Sequence, residues 1–353
     1  MLALVTSPGT AGATAVEEVP DAVAADDEVL LRTLRVGVCG TDREIAEGLF
    51  GVAPDGEERL ALGHELLARV ERAAHGFRRG DLVTATVRRS CGRCAACDAG
   101  APDACMTGDY RERGITRLHG FASELTAEHP EHLVPIPRDL GELGVLAEPA
   151  SICARGIRHA LAIGARQPWS PGRALVLGTG AIGMLATYLL ALEGFDVWTA
   201  GRAPAGSDKA QLVEACGATY VEAPRTPAEQ VADGVGGFDV VLEATGDAQV
   251  MIDTLGLLGR NGVACLLGID GRPRTVALEG RVIGVDAILQ NRALVGSVNA
   301  NRVDWLAAVR QLDRARARWP DALERFVGLE VPVDRFGEAF AFRGVKATLV
   351  FSP

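Results

Sequence analysis

The sequence predicts an α/β chain of two domains: an irregular, mostly antiparallel β domain first, then a parallel sheet covered by helices on both faces. Three observations point there. At 353 residues the chain exceeds a single small module and, at about 150 residues per domain, suggests two. Up to Ala147-Glu148-Pro149 the apolar residues fall in short β-like runs with no long helical period. Beyond that point strands and helices alternate, which implies a parallel sheet buried on both sides.

The early β runs lie at 1–7, 28–38, 66–72 and 82–87, separated by Gly, Pro and charged turns. Residues 150–164 are helical in pattern and end before the breaker stretch Gln167-Pro168-Trp169-Ser170-Pro171-Gly172. Strands follow at 173–177, 195–200, 238–244, 262–268 and 293–298, with helices starting near Ile182, Lys209, Ala248 and Arg302. The closing segment carries a helix at 302–312, a second helical stretch and an apolar strand at 347–352. Residues 174–192 form a run of 19 without a charge, close to the length of a membrane span. Gly178, Thr179, Gly180 and Gly183 interrupt it, so strand, glycine turn and helix describe it better.

An apolar share of 48% with 23% charged residues excludes disordered, collagen-like and coiled-coil classes. The formal charge of −10 argues against nucleic acid as a partner, because no basic field exists to hold a phosphate backbone. Basic residues are almost all Arg, with Lys only at Lys209 and Lys346. No charged start followed by an apolar signal core is visible, so the expected location is the cytoplasm, with no membrane partner.

Gly178-Thr179-Gly180-Ala181-Ile182-Gly183 follows a strand and opens a helix. In that context the glycines permit a tight turn, close approach of a pyrophosphate and close helix–strand packing, and the helix N-terminus faces the anion. A glycine turn that binds nothing is the bland alternative. After the next strand the chain has Ala200-Gly201-Arg202, where an NAD site carries an acidic residue for the ribose. Arg202 offers a bidentate grip on a 2′-phosphate instead, so NADP is expected over NAD; the alternative is an exposed loop Arg.

Cys91, Cys94, Cys97 and Cys105 supply four thiolates on one short lobe, in the pattern of a closed tetrahedral Zn²⁺. An iron–sulfur centre or a redox switch are the other readings. Elsewhere Val38-Cys39-Gly40-Thr41-Asp42, Gly63-His64-Glu65 and Ala147-Glu148-Pro149 offer a Cys, a His and two Glu. Together they make a plausible open zinc site, with a position left for water or an alcohol.

These stretches occur with His75-Gly76-Phe77, Arg88-Arg89-Ser90-Cys91-Gly92, Gly120-Phe121, Glu243-Ala244-Thr245-Gly246, Asn261-Gly262-Val263 and Val295-Gly296-Ser297-Val298-Asn299. With them the whole chain resembles the zinc-containing medium-chain alcohol and polyol dehydrogenases, and within these the archaeal-type glucose 1-dehydrogenases. The resemblance implies a GroES-like catalytic domain with a structural zinc lobe over 1–153, a doubly wound Rossmann dinucleotide-binding domain over 154–298, and a segment 299–353 returning to the catalytic domain, with a cleft between the domains. It implies a catalytic zinc on Cys39, His64 and Glu148, with Glu65 as an exchangeable ligand or water partner. Asp42 would orient His64, Thr41 would accept the alcohol's hydrogen bond, and Glu44 stands where liver-type enzymes place a relay histidine. Cys153 is read as packing. The cofactor would lie against residues 178–183, Gly201, Arg202, Ala244, Thr245, Gly246, Leu267, Gly268, Ser297, Val298 and Asn299.

Glu112 and Asn299 match positions that hold sugar hydroxyls in the glucose enzymes, whereas Val87 and Ile152 replace an Asn and an Asp. The expected activity is therefore NADP-preferring, zinc-dependent hydride transfer on a hydroxyl of a sugar-like or cyclitol-like substrate, by a homodimer or homotetramer with two zincs per chain. Two other readings stand beside it: a biosynthetic ketone or imine reductase using the same parts in reverse, and a non-catalytic zinc- and nucleotide-binding regulator.

Overall fold

A computed structural model describes residues 1–351; Ser352, the last residue of the expected strand 347–352, lies outside the described residues. The chain divides into two compact units.

The first unit comprises residues 1–148, 299–309 and 327–353. Its main sheet is built on the ten-residue strand Val29–Val38. Glu65–Val70 pairs antiparallel along one side and Lys346–Val350 along the other, with Leu125–Glu128 also pairing antiparallel to the central strand. Leu82–Ala85 and Leu133–Pro135 extend the sheet at one end, and Val327–Pro332, parallel to Lys346–Val350, closes the other. Burial alternates along the first half of Val29–Val38, with Val29, Leu31 and Thr33 inward. After a register shift between Thr33 and Arg35 its end, Val36–Gly37–Val38, is buried on both faces. That end carries the chemistry: the strand stops just before Cys39, its neighbour begins at Glu65, and its other neighbour begins at Lys346. Antiparallel pairing therefore brings residues far apart in sequence to one sheet end.

The second unit comprises residues 149–298 and 310–326. Its six-stranded sheet is wholly parallel, in the spatial order Thr219–Glu222, Asp196–Gly201, Arg173–Leu177, Phe238–Glu243, Leu258–Leu266, Ala293–Gly296. Chain order reverses direction beside Arg173–Leu177, the arrangement that opens a ligand crevice at the carboxyl ends of the strands. Helices Ala181–Leu192, Asp208–Ala215 and Ala248–Leu257 start at or within a residue of the expected positions. Helix Ala181–Leu192 is buried through Met184–Leu190, which explains its lack of charge: it is a core helix. No helix among the described residues is long and apolar enough to cross a membrane.

Several elements differ from expectation. The short strand Thr219–Glu222 and helix Ala228–Val235 were not anticipated; Pro227 at the N-cap and Gly236, left-handed at the C-terminus, punctuate that helix. The helix expected at 302–312 runs on as Arg302–Arg318, because 314–318 alternates Arg with Ala and buries Ala315. Residues 310–326 group with the second unit instead of following the rest of 299–353 into the first. There Trp319 and Phe326 pack edge-on against the buried Tyr188 at ring separations of 5.3 and 4.9 Å. The helix expected from 150 begins at Ala147, since Pro149 is tolerated in a first turn, where its missing N–H has no intrahelical partner to lose.

Candidate active site

Cys39 is the N-cap of the short helix Gly40–Ala46. Its thiol accepts from the Thr41 N–H at 3.2 Å, and its own N–H donates to Asp42 Oδ2 at 2.9 Å. This reciprocal cap fixes three expected site residues at once. Asp42 Oδ1 lies 3.4 Å from His64 Nδ1, and His64 Nε2 lies 3.1 Å from Cys39 Sγ. One carboxylate thus caps the helix with one oxygen and faces the imidazole with the other. Burial opposes charge on His64, but Cys39 and then Asp42 outweigh it and push the imidazole well above its usual pKa.

Ligand atoms of Cys39, His64 and Glu65 all lie within 4.8 Å of one another. Glu148, in the first turn of helix Ala147–Gly164, is 9% exposed. Burial raises its carboxyl to about 7, His64 and Lys346 acting to lower it and Glu65 to raise it. A soft thiolate, an imidazole whose other nitrogen faces a carboxylate, and buried carboxylates form a donor set that suits Zn²⁺.

Sequence reasoning missed Lys346. Its ammonium donates to both Glu65 oxygens at 2.6 Å and to the Val38 carbonyl at 3.3 Å, and both side chains are 2% exposed. Its signal was compositional: one of two lysines in an Arg-rich chain, heading an apolar strand. Room for the pair comes from Gly37, where a Cβ would stand 1.9 Å from Glu65 Oε2. Glu44 is exposed and Thr41 half-buried.

The sulfurs of Cys91, Cys94, Cys97 and Cys105 also lie within 4.8 Å of one another. Hydrogen bonds from Thr107 lower the Cys105 thiol to about 6, and the Met106 and Cys97 backbone lowers Cys94. At Cys105 and Cys94 donors aimed at sulfur favour thiolate, the form a metal requires, whereas Cys97, despite a Ser90 hydrogen bond, is pushed up to about 11 by burial and by its Cys94 and Cys91 neighbours. Cys153 is buried and donates to the Ile182 carbonyl at 3.2 Å.

Glu112 and Asn299 meet: Asn299 Nδ2 donates to Glu112 Oε1 at 2.8 Å, with Asn299 in the left-handed region at φ +58°. Val87 is buried and Ile152 half-buried.

In the second unit the expected cofactor residues follow the carboxyl ends of five parallel strands. Gly178 comes after Arg173–Leu177, Arg202 after Asp196–Gly201, Ala244 after Phe238–Glu243, Leu267 after Leu258–Leu266 and Ser297 after Ala293–Gly296. A Cβ on Gly183 would sit 1.9 Å from the Gly178 carbonyl, so only glycine lets helix and turn pack this closely. Gly180 is the N-cap and carries no side-chain cap, leaving the first helical N–H groups for an anion. The buried Glu243 holds the following turn, accepting from the Thr245 N–H at 2.5 Å and from its hydroxyl. Arg202 is exposed, and burial followed by the Arg202 charge lowers the pKa of Lys209. Lys209 is thus a second cation beside Arg202 that motif reading did not single out. Asn299 falls in the first unit.

Features of this kind define a zinc- and NAD(P)-dependent dehydrogenase. Residues 25–138 match the alcohol dehydrogenase GroES-like domain and 141–349 the glucose dehydrogenase C-terminus. A glucose 1-dehydrogenase of Methanocella arvoryzae is 42% identical over 315 residues, 88% of each chain, and one of Caldivirga maquilingensis is 40% identical over 333 residues, 92% of each. The glucose dehydrogenase of Haloferax mediterranei, solved with NADP, Zn and gluconolactone, superposes with a TM-score of 0.92 at 34% identity over 100% of both chains. The chain belongs to the zinc-containing medium-chain dehydrogenase/reductase family, of the archaeal glucose dehydrogenase type.

Proposed function

We propose that the chain is an NADP-preferring dehydrogenase that oxidises a secondary or anomeric hydroxyl of a sugar-like or cyclitol-like substrate. The observation that carries this reading is the Cys39–His64–Asp42 constellation, with His64 Nε2 at 3.1 Å from the thiol and Nδ1 at 3.4 Å from the carboxylate. Cys39, His64 and Glu148 would hold the catalytic zinc, and the four-cysteine lobe a structural one. When bound, zinc supplies Lewis acidity that favours the ionised substrate hydroxyl, and NADP⁺ accepts the hydride.

Asp42 Oδ1, 3.4 Å from His64 Nδ1, would hold the proton on that nitrogen and leave Nε2 as the ligating atom. Thr41, anchored through its N–H to Cys39, would accept the hydrogen bond of the substrate hydroxyl and hand its own proton onward as the first link of a relay. Glu65 is neutralised by Lys346 and would have to leave that ammonium to act as an exchangeable ligand. Arg202, joined by Lys209, supports the 2′-phosphate reading, and the N-terminus of helix Ala181–Leu192 supports the pyrophosphate.

Glu112 and Asn299 would bind a neighbouring hydroxyl, favouring a vicinal diol, while apolar Val87 and Ile152 would tolerate a deoxy carbon or a ring substituent. Loss of two polar contacts costs glucose about 1–3 kcal/mol, roughly five- to a hundred-fold in efficiency. The test is kcat/KM across glucose, 2-deoxy and 6-deoxy sugars, cyclitols and simple secondary alcohols, with Glu112→Ala alongside. We expect poor glucose oxidation and better rates on a less hydroxylated ring; efficient glucose turnover, or indifference of every substrate to Glu112→Ala, refutes the pocket reading.

Assembly as a homodimer or homotetramer is supported by the edge strand Ala293–Gly296, which pairs on one side only among the described residues. Leu294 on that strand and Ile283, Ile288 and Leu289 just before it are exposed apolar residues, an edge suited to a second copy. Light scattering giving a monomer refutes this. A cytoplasmic location accords with eight free cysteines.

A further inference from the structure

We propose that Arg88 is a positioning residue that ties the four-cysteine lobe to the Glu112 carboxylate, so that the grip on a substrate's second hydroxyl depends on the metal held by the lobe. This rests on the reading of Glu112 as a substrate contact. Arg88 and Glu112 face each other across the antiparallel pair Arg88–Arg89 and Arg111–Arg113. Their side chains are 5% and 10% exposed. Arg88 Nε donates to Glu112 Oε1 at 3.0 Å, its Nη1 donates to the Asp103 carbonyl at 3.1 Å, and its guanidinium lies 3.7 Å from the centroid of the Tyr110 ring. Asp103 belongs to the short turn Pro102–Ala104, directly before the ligand candidate Cys105.

Both donors to Glu112, Arg88 and Asn299, use the same oxygen, Oε1. Among the described residues no hydrogen-bond donor reaches Oε2, so that oxygen is left to accept from a substrate hydroxyl. A planar guanidinium held on one side by a backbone carbonyl and an aromatic face, and on the other by a carboxylate, fixes the carboxylate's rotation. The carbonyl is the weak link. It lies between Cys97 and Cys105, and four soft ligands on so short a segment fold around their metal, so its place depends on the fold of the lobe. Lysine cannot replace this residue, because one ammonium on a flexible stem does not span Glu112 and Asp103 in a fixed plane.

The test compares Arg88→Met, Arg88→Lys, Glu112→Ala and the double variant Arg88→Met/Glu112→Ala in the zinc-loaded protein, with zinc content and the NADP⁺ dissociation constant measured throughout. Arg88→Met should raise KM for the best diol substrate about ten-fold, with a smaller change in kcat and an unchanged NADP⁺ constant; Arg88→Lys should fall between it and the parent. The double variant should be no worse than Glu112→Ala, since both remove one contact. If Glu112→Ala raises KM and Arg88→Met leaves it within two-fold, or if their effects add, the inference is overturned while the pocket reading stands. If Glu112→Ala itself has no effect, the pocket reading fails and takes the inference with it. The parent protein supplies an independent check should the variants not fold. After chelation of the lobe metal, amide exchange at Arg111–Arg113 should quicken together with that of 91–105, and retention of protection at Arg111–Arg113 alone overturns the coupling.

Discussion

Replacing Lys346 by Met should damage the protein far more than the loss of its hydrogen bonds to Glu65 and the Val38 carbonyl suggests. Lys346 holds both oxygens of Glu65 at 2.6 Å, and both side chains are 2% exposed. Burial opposes charge on the ammonium, and the neighbouring Glu65 carboxylate overcomes it, holding its pKa above the usual lysine value. Without Lys346 the carboxylate stays buried and loses the ammonium that pairs both its oxygens, which costs about 3–5 kcal/mol. At about 2–4 °C per kcal/mol for a domain of 150–250 residues, the unfolding midpoint should fall by about 6–20 °C. Relaxation is blocked on one side, since the Gly37 backbone stands against Glu65 Oε2. Lys346→Met/Glu65→Gln, which removes both charges, should recover most of the loss. Scanning calorimetry of the zinc-loaded single and double variants decides it: a single-variant loss below about 1 kcal/mol, or a double variant no better than the single, refutes the claim that this pair is a desolvated ion pair.

Arg202→Ala should erase about ten- to a hundred-fold of preference for NADP⁺, through its KM, as expected for a charge-assisted phosphate contact; equal efficiency with NAD⁺ in the parent protein would contradict it. His64→Ala should abolish turnover with the fold intact and leave about one zinc per chain, whereas Cys94→Ser should lower the yield of folded protein; elemental analysis and circular dichroism separate the two. Burial and then Arg89 hold His132 down at about 4, against an ordinary value of 6.5. The unfolded chain therefore binds a proton that the folded ring refuses, so stability should fall as pH drops from about 6.5 towards 4, and His132→Asn should flatten that slope in urea melts. An unchanged slope would locate the acid sensitivity elsewhere.

The parallel sheet and its glycine turn were legible because their signals are local. A four-residue apolar run, three glycines at fixed spacing and a charge-free helix all sit within 173–192, where strand pairing only has to be completed by similar units. The cysteine lobe was legible for the same reason, with its four sulfurs inside one short segment. Thr219–Glu222 and Ala228–Val235 were harder, since a four-residue strand and an eight-residue helix carry too little period to stand above the surrounding loops.

Motif spacing and family resemblance together pointed to Cys39, His64 and Glu148, and to Glu112 with Asn299, as residues that act together. Which atoms meet was decided by tertiary structure alone. Asp42 divides its two oxygens between a helix cap and an imidazole, a consequence of where Gly40–Ala46 begins relative to the strand before it. Lys346 reaches Glu65 across 281 positions of sequence, and Asn299 reaches Glu112 across 187. Neither pair has a local pattern, because each is created by antiparallel register and by a loop returning to the first unit. Local periodicity determines elements and turns through short-range sterics and burial; the pairing of charges at a buried sheet end depends on register, which only the assembled fold specifies.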